Sequence, residues 1–181
     1  MRGQLLLLSL LTLASCARDM GGWFEPPMAR TPRLGPISPY ARPFVKMSDP
    51  GVTNMFIRDI EGTLNNNAWR WTGKSPALRL QLSTAANQHF VADFAVPEPG
   101  FAHTGPVQIT IQINGRTLAT VNCDKPGPHH IDQAVPSDWL NTQLDNFAAF
   151  EIDKTWRDNG MDHDYGFILT DAGFVTQNPT K

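Results

Sequence analysis

The chain has 181 residues, 15 of them basic and 17 acidic, and its net charge of −2 fits one globular domain with short appendages. It contains 15 Pro and 14 Gly but only 18% charged residues, a composition typical of many turns and short strands rather than long helices. Residues 51–181 carry nine basic against fourteen acidic side chains, and this acidic balance argues against a nucleic-acid-binding surface.

Residues 1–15 have the pattern of a bacterial signal peptide. Arg2 supplies a positive charge, and the apolar run Leu5–Leu13 is too short to span a bilayer as a mature helix. The Leu-Ala-Ser-Cys segment ending at Cys16 resembles the lipobox of bacterial lipoproteins, which implies cleavage before Cys16 and a stable multi-acyl membrane anchor. Ala17 then favours the outer membrane of a Gram-negative bacterium. A plain secretory signal with an incidental cysteine is the alternative.

Residues 16–50 are predicted to form a tether between the lipidated cysteine and the domain. Seven prolines interrupt this range and favour extended, polyproline-like chain. Residues 1–50 carry six basic and three acidic side chains, which suits a position beside anionic lipid head groups. A solvated linker with incidental arginines is the alternative.

The domain, residues 51–181, is organised around a predicted β-hairpin. Apolar and polar side chains alternate along Val107–Ile113, as in a strand with one face on a core. Asn114-Gly115 follows and is the strongest short-range signal for a hairpin turn, because both turn residues need positive φ. The return strand is expected to place Leu118 opposite Ile111.

Other short apolar segments raise the expected number of strands to about nine. They are Met55–Ile57, Ala68–Gly73, Ala77–Leu82, His89–Val96, the segment around Ile131 and Val135, Phe147–Asp153, Tyr165–Thr170 and Phe174–Val175. Pro136–Leu140 is expected to form a short helical turn, with Ser137 or Asp138 as the capping side chain.

Several of these segments occur in an order that resembles a known class of domain. They are Trp69–Gly73, Phe94–Pro97, Val107–Gly115, Val135–Leu140, Asp153–Trp156, Tyr165–Leu169 and Gly173–Val175. Together they are similar to jelly-roll β-sandwich modules of the galactose-binding-like and carbohydrate-binding kind, over roughly residues 52–176. The resemblance implies an all-β, antiparallel jelly-roll sandwich. It involves core and turn positions and transfers no ligand residue.

Aromatic and planar polar side chains supply the candidate ligand site. Sugar binding uses flat apolar rings for the C–H face of a pyranose and planar polar groups for its hydroxyls. Trp156 is expected to keep its ring exposed, because it precedes a polar loop that contains glycine. The alternative is that the tryptophan rings fill the core or close the sandwich edge. The candidate residues are Trp71, Arg70, Trp156, Arg157 and Asn159.

Residues 158–164 are rich in acidic side chains. The carboxylates of Asp158, Asp162 and Asp164 offer oxygen ligands of the kind that Ca²⁺ prefers, although their spacing does not match an EF-hand. A structural Ca²⁺ is therefore considered at this loop, with a solvated loop as the alternative. No other cofactor is predicted.

Cys123 has no intramolecular partner when Cys16 carries lipid. It is expected to be a small, partly buried residue at the end of a strand, since no neighbouring base argues for an activated thiol. A reactive thiol or an intermolecular bridge is the alternative.

Common catalytic signatures such as G-x-S-x-G and HExxH do not occur in the sequence. The leading hypothesis is a non-enzymatic, lipid-anchored envelope protein that binds glycan or envelope polysaccharide. A structural or assembly lipoprotein with a protein partner is the second hypothesis. A carbohydrate-active enzyme that uses Glu151 and Asp153, which share a strand face, is the third.

Overall fold

The computed structural model describes residues 42–157 and 160–177. The predicted signal peptide, Cys16 and most of the tether lie outside these residues, as do Asp158 and Asn159. Nine strands occur in the described ranges: β1 Phe44–Lys46, β2 Phe56–Ile60, β3 Arg70–Leu80, β4 Gln88–Val96, β5 Val107–Ile113, β6 Arg116–Cys123, β7 Gly127–Ala134, β8 Asn146–Ile152 and β9 Ile168–Thr176.

Among the described residues, helical structure is limited to three short segments. They are helix α1, Glu98–Thr104, and the 3-10 turns Val52–Met55 and Ser137–Trp139. The second 3-10 turn confirms the predicted helical turn, but no side chain caps its N-terminus. Within residues 42–157 and 160–177, no helix has the length and apolar character needed to cross a membrane.

The strands form two antiparallel sheets that share β3. Sheet A has the order β7-β4-β9, with β1 and the first residues of β3 on the other side of β9; sheet B has the order β6-β5-β8-β3-β2. After β4 the chain enters sheet B for β5 and β6, and then alternates between the sheets for β7, β8 and β9. This order is that of a jelly roll. The predicted fold class is therefore confirmed for the described residues.

The core lies between the two sheets and is built on aromatic side chains. Alternate residues of β4 and β5 are buried, because successive side chains of a strand point to opposite faces. Ring centroids of Phe90 and Phe174 lie 5.6 Å apart, and those of Phe150 and Phe167 lie 5.7 Å apart. Phe90 of β4 contacts Phe150 of β8, with ring centroids 6.0 Å apart, so residues from both sheets interlock.

The central hairpin confirms the predicted turn and corrects the predicted pairing. Asn114 and Gly115 have φ values of 51° and 80°, as the tight turn requires. Ile111 lies opposite Ala119 rather than Leu118, because the register shifts at a β-bulge just after Ile111. The periodicity of the two arms alone does not reveal such a one-residue insertion.

The folded domain begins before residue 51, inside the range assigned to the tether. Phe44–Lys46 forms β1 and pairs with β9, and Val45 and Met47 are fully buried. A side chain on Gly173 would clash with the β1 backbone, so this glycine allows the close approach. Proline spacing suggested a tether here, but burial of two apolar side chains outweighs that signal.

Candidate functional site

Three aromatic side chains meet at one end of the sandwich, where β3 begins and where β8 leads to β9. The ring of Trp71 contacts Trp69 edge-on, with centroids 5.2 Å apart, and contacts Tyr165 at 4.9 Å. All three residues are half-buried. We call Trp69, Trp71 and Tyr165 the aromatic platform. The rings keep part of their surface accessible and are also held by packing, which fixes their orientation.

Backbone hydrogen bonds hold the platform in place. The N–H of Tyr165 donates to the carbonyl of Trp156 at 2.8 Å, and the reverse bond is 2.9 Å long. The N–H of Gly166 donates to the carbonyl of Thr72 at 2.8 Å, and the Thr72 hydroxyl donates to the Phe167 carbonyl at the same distance. The β8–β9 connection is therefore fastened to β3 directly beside Trp71.

The expectation that Trp156 keeps its ring exposed is wrong. Trp156 is 6% exposed, because helix α1 covers it. The ring of His103 in α1 stacks on Trp156 at 5.8 Å, and Gly100 lies so close that a Cβ atom would clash with the indole. Trp156 lies under the platform, 6.1 Å from Trp71 between centroids, and closes the sandwich end as the alternative interpretation held.

Arg70 is buried, 6% exposed, and binds backbone rather than presenting its guanidinium to solvent. Its Nε donates to the carbonyl of Met47 at 3.1 Å, and its Nη1 donates to the carbonyls of Glu61 and Gly62. Burial lowers the pKa of Arg70 from its ordinary value. Arg70 is thus placed to position Glu61 at the platform edge.

A polar rim borders the platform. Oε1 of Glu61 lies 2.9 Å from Nε2 of His163, and the His163 ring packs 4.4 Å from the Tyr165 ring. Burial, the hydrogen bond to Glu61 and the nearby negative charge raise the pKa of Tyr165 to about 12. A surface depression of about 280 Å³ adjoins this rim, lined by Asp59, Ile60, Glu61, Gly73, Lys74, His163 and Asp164.

Of the acidic residues in the 158–164 loop, Asp162 and Asp164 are described, and they face different side chains rather than a common point. Oδ1 of Asp162 lies 2.5 Å from Nδ1 of His163, and this hydrogen bond lowers the pKa of Asp162. Oδ1 of Asp164 accepts a hydrogen bond from Arg157 at 2.7 Å. Within residues 42–157 and 160–177, no three Asp, Glu, His or Cys side chains form a group able to hold a metal ion.

The carboxylates considered for catalysis do not gather at the platform. Oδ1 of Asp153 accepts the backbone N–H of Gln108 at 2.8 Å, and this bond ties the end of β8 to β5. Glu151 is an exposed residue within β8.

The structure places the predicted site residues in different settings. It brings Trp71 and Arg157 to the platform and its rim, whereas Arg70 and Trp156 support them from below. Sequence reasoning missed Glu61, which lies 102 positions before its partner His163. No local pattern connects two residues so far apart in the chain.

No family model matches this sequence, and no curated protein is significantly similar to it. Among solved structures, the chain is similar to a native family 35 carbohydrate-binding module from Clostridium thermocellum, with 10% identity and a TM-score of 0.41 over 65% of this chain and 87% of that one. A family 35 module from an environmental isolate gives 12% identity and a TM-score of 0.42, covering 73% of this chain and 91% of that one.

A carbohydrate-binding module CBM36 in complex with calcium and xylotriose gives 14% identity and a TM-score of 0.38, covering 73% of this chain and 98% of that one. At identities and TM-scores this low, these similarities carry no argument about the ligand of this chain.

Proposed function

We propose that the domain is a non-catalytic carbohydrate-binding β-sandwich that uses the aromatic platform. The observation that carries this proposal is the contact of three half-buried rings, Trp69, Trp71 and Tyr165, at one end of the sandwich. Sugar rings present C–H faces that pack against aromatic rings, and binding sites combine such faces with a few convergent polar groups.

The polar rim supplies those groups. Glu61 and His163 offer an acceptor and ring nitrogens beside Tyr165, and Lys74 offers an ammonium in the adjoining depression. Buried Arg70 and Trp156 fix the backbone and rings beneath, so little conformational entropy is lost when a ligand binds. Short sugar segments fit such a depression better than a large protein surface does.

Glycan binding is tested with the full chain on a glycan array and in pull-downs with cell-wall and surface polysaccharides. The variant Trp71→Ala is expected to bind at least roughly tenfold more weakly, because a stacked aromatic contact is lost. Trp139→Ala is the matched control, since Trp139 is a half-buried tryptophan that packs on Arg116 instead of the platform. Absence of any glycan binding by the wild type would contradict the proposal.

We also propose that the chain is a lipoprotein of the bacterial envelope, anchored through Cys16. The support is the order of charge, apolar run, small residues and cysteine in residues 1–16. Metabolic labelling with palmitate is expected to mark the wild type and to leave Cys16→Ser unlabelled. If the wild type stays unlabelled in cells whose other lipoproteins are labelled, the anchor is rejected and the carbohydrate proposal is unaffected.

A protein partner is the second candidate function, and one surface favours it. Leu144 and Phe147 are 55% and 47% exposed. They border a depression of about 520 Å³, whose other lining residues are Asn114, Gly115, Asn141 and Asp145. Photo-crosslinking from position 147 in intact cells is expected to give a stoichiometric adduct if this surface binds a partner.

Calcium binding by the 158–164 loop stays a prediction. The carboxylates of Asp162 and Asp164 are engaged by His163 and Arg157, respectively, and Asp158 lies outside the described residues. Calorimetric titration of the full chain with Ca²⁺, compared with Asp158→Asn, tests this point directly.

A further inference from the structure

Four ionisable side chains form a row across sheet A, one on each of four neighbouring strands. Asp171 of β9 lies opposite Lys46 of β1 on one side and opposite Asp93 of β4 on the other, and Asp93 lies opposite His130 of β7. Both sequence neighbours of Asp93 are buried in the core. The row therefore lies on the outer face of the sheet, away from the core.

The row crosses β4 and β9 at a β-bulge. Asp93 faces Asp171 whereas Phe94 faces Leu169, so Thr170 is the extra residue on β9. The Thr170 carbonyl accepts the backbone N–H of Met47 at 2.8 Å, which brings the β1 segment to the same point. A bulge leaves its extra residue unpaired and locally disrupts the ladder of backbone hydrogen bonds.

Asp93 and Asp171 are direct neighbours across the two strands. Two carboxylates can only accept hydrogen bonds, so a bond between these side chains requires one of them to carry a proton. Nδ1 of His130 lies 2.7 Å from Oδ1 of Asp93. Oδ1 of Asp171 is buried without a hydrogen-bond partner in the described part of the chain, a position that a neutral carboxyl group tolerates better than a carboxylate.

The surrounding charges agree with a proton held on Asp171. Burial, followed by the charge and hydrogen bond of Asp93, raises the pKa of Asp171 to about 6, while Lys46 and His130 act in the opposite direction. Another ionisable pair on this face is His89 of β4 with Asp132 of β7, 2.6 Å apart. The contribution of Asp171 to stability is thus present at acidic pH and is lost as pH rises through about 6.

We propose that Asp93 and Asp171 form a proton-dependent clasp between the two central strands of sheet A. In mildly acidic surroundings the shared proton joins β4 to β9 at the bulge. When the proton leaves, two carboxylates face each other across the strands and repel, and the join between β4 and β9 weakens. The clasp does not involve the platform residues, so a failure of this proposal would leave the carbohydrate proposal unaffected.

The test is urea unfolding of the full chain between about pH 4.5 and pH 8, for the wild type and Asp171→Asn. Asparagine has the shape of the protonated carboxyl group and cannot ionise. The ratio of the wild-type unfolding constant to that of Asp171→Asn is expected to increase about tenfold from the lower to the higher pH. This value allows for solvent screening at a half-exposed site. Asp138→Asn is the control and should show no such divergence, because Asp138 is exposed and its ion-pair partner Arg116 stays charged over this pH range. Parallel pH profiles for the wild type and Asp171→Asn would overturn the clasp.

A second measurement covers the case in which Asp171→Asn folds poorly. Hydrogen exchange of the wild type reports the opening of individual strands and can be corrected for the intrinsic effect of pH. Protection of the β4 and β9 amides is expected to fall selectively as pH rises through about 6, the pKa of Asp171, while the β5 and β6 amides keep theirs. Equal changes in both sheets would reject a local clasp.

Discussion

Nε2 of His163 lies 2.9 Å from Oε1 of Glu61, and this contact joins the β2–β3 connection to the β8–β9 connection. The phenol of Tyr165 also hydrogen-bonds to Glu61. One carboxylate thus fixes two side chains of the candidate site. Arg70 holds the backbone of Glu61 from the buried side, so the rim is tied to the core.

Replacing Glu61 with Gln is therefore expected to change both the platform and its ionisation. Without the carboxylate, the pKa of Tyr165 should fall from about 12 toward its ordinary value of 10.0, because a nearby negative charge no longer opposes the phenolate. Ultraviolet titration of tyrosine absorbance measures this shift. Glycan affinity should fall roughly threefold to tenfold, as expected for loss of one charge-assisted hydrogen bond that orders the site.

Glu151→Gln is the control for this prediction, since Glu151 is an exposed carboxylate within β8. It should leave the tyrosine titration unchanged. A Tyr165 titration that is identical in the wild type and in Glu61→Gln would mean that the phenol does not sense this carboxylate.

Local sequence signals predicted the fold well because its turns and strand faces are local features. Asn114-Gly115 and the alternation of Val107–Ile113 are visible within a short window, and both were confirmed. By contrast, β3 was predicted as two strands, since Gly73 and Pro76 interrupt its pattern. In the structure it runs unbroken over Arg70–Leu80 and changes neighbours along its length, pairing first with β9 and then with β8.

The candidate site was harder to predict because it depends on contacts between distant segments. The burial of Trp156 follows from a helix near residue 100 that folds over it, and the role of Arg70 follows from carbonyl groups at residues 47, 61 and 62. Residue type identified these side chains as unusual, but only tertiary structure decides whether such a side chain faces ligand or core.

Electrostatics at the rim predict a preference among glycans. Glu61, Asp162 and Asp164 place three carboxylates around the platform. They outnumber the cations Lys74 and Arg157, and Arg157 is already paired with Asp164. A polysaccharide rich in uronic acid should therefore bind several-fold more weakly than a neutral polysaccharide of the same backbone, because like charges repel. Raising the salt concentration should reduce this difference, since exposed charges are screened. Calorimetry at two ionic strengths checks both statements.

The variant Asp162→Asn tests the origin of that preference. The hydrogen bond from His163 lowers the pKa of Asp162, so this carboxylate stays ionised in mildly acidic solution. In this variant, the difference in affinity between neutral and acidic polysaccharides should be smaller than in the wild type. Stronger binding of the acidic polysaccharide by the wild type would refute this electrostatic account.

Gly100→Ala should destabilise the domain through the contact between helix α1 and Trp156. A Cβ atom at position 100 would meet Nε1 of Trp156 at 2.5 Å, closer than van der Waals contact allows. The helix or the indole must shift, and overpacking of this kind costs about 1–3 kcal/mol of unfolding free energy. Gly62→Ala is the matched control, because nothing lies within 4 Å of the added methyl group. Urea unfolding measures both variants, and equal stabilities would show that α1 does not constrain Trp156.

Cys123 is expected to be an unreactive thiol while the domain is folded. It is the last residue of β6, which confirms the predicted position at a strand end. It is fully buried, whereas the sequence suggested partial burial. Burial, followed by the negative charges of Asp124 and Asp153, raises its pKa to about 11. The thiolate, which is the reactive form, is therefore scarce at neutral pH.

The labelling rate of Cys123 by a chromogenic disulfide reagent tests this expectation in the full chain carrying Cys16→Ser. Labelling should be at least about a hundredfold faster in denaturant than in buffer, because unfolding exposes the thiol and restores its usual pKa. Rapid labelling of the native protein would show instead that β6 opens readily or that the thiol reaches solvent.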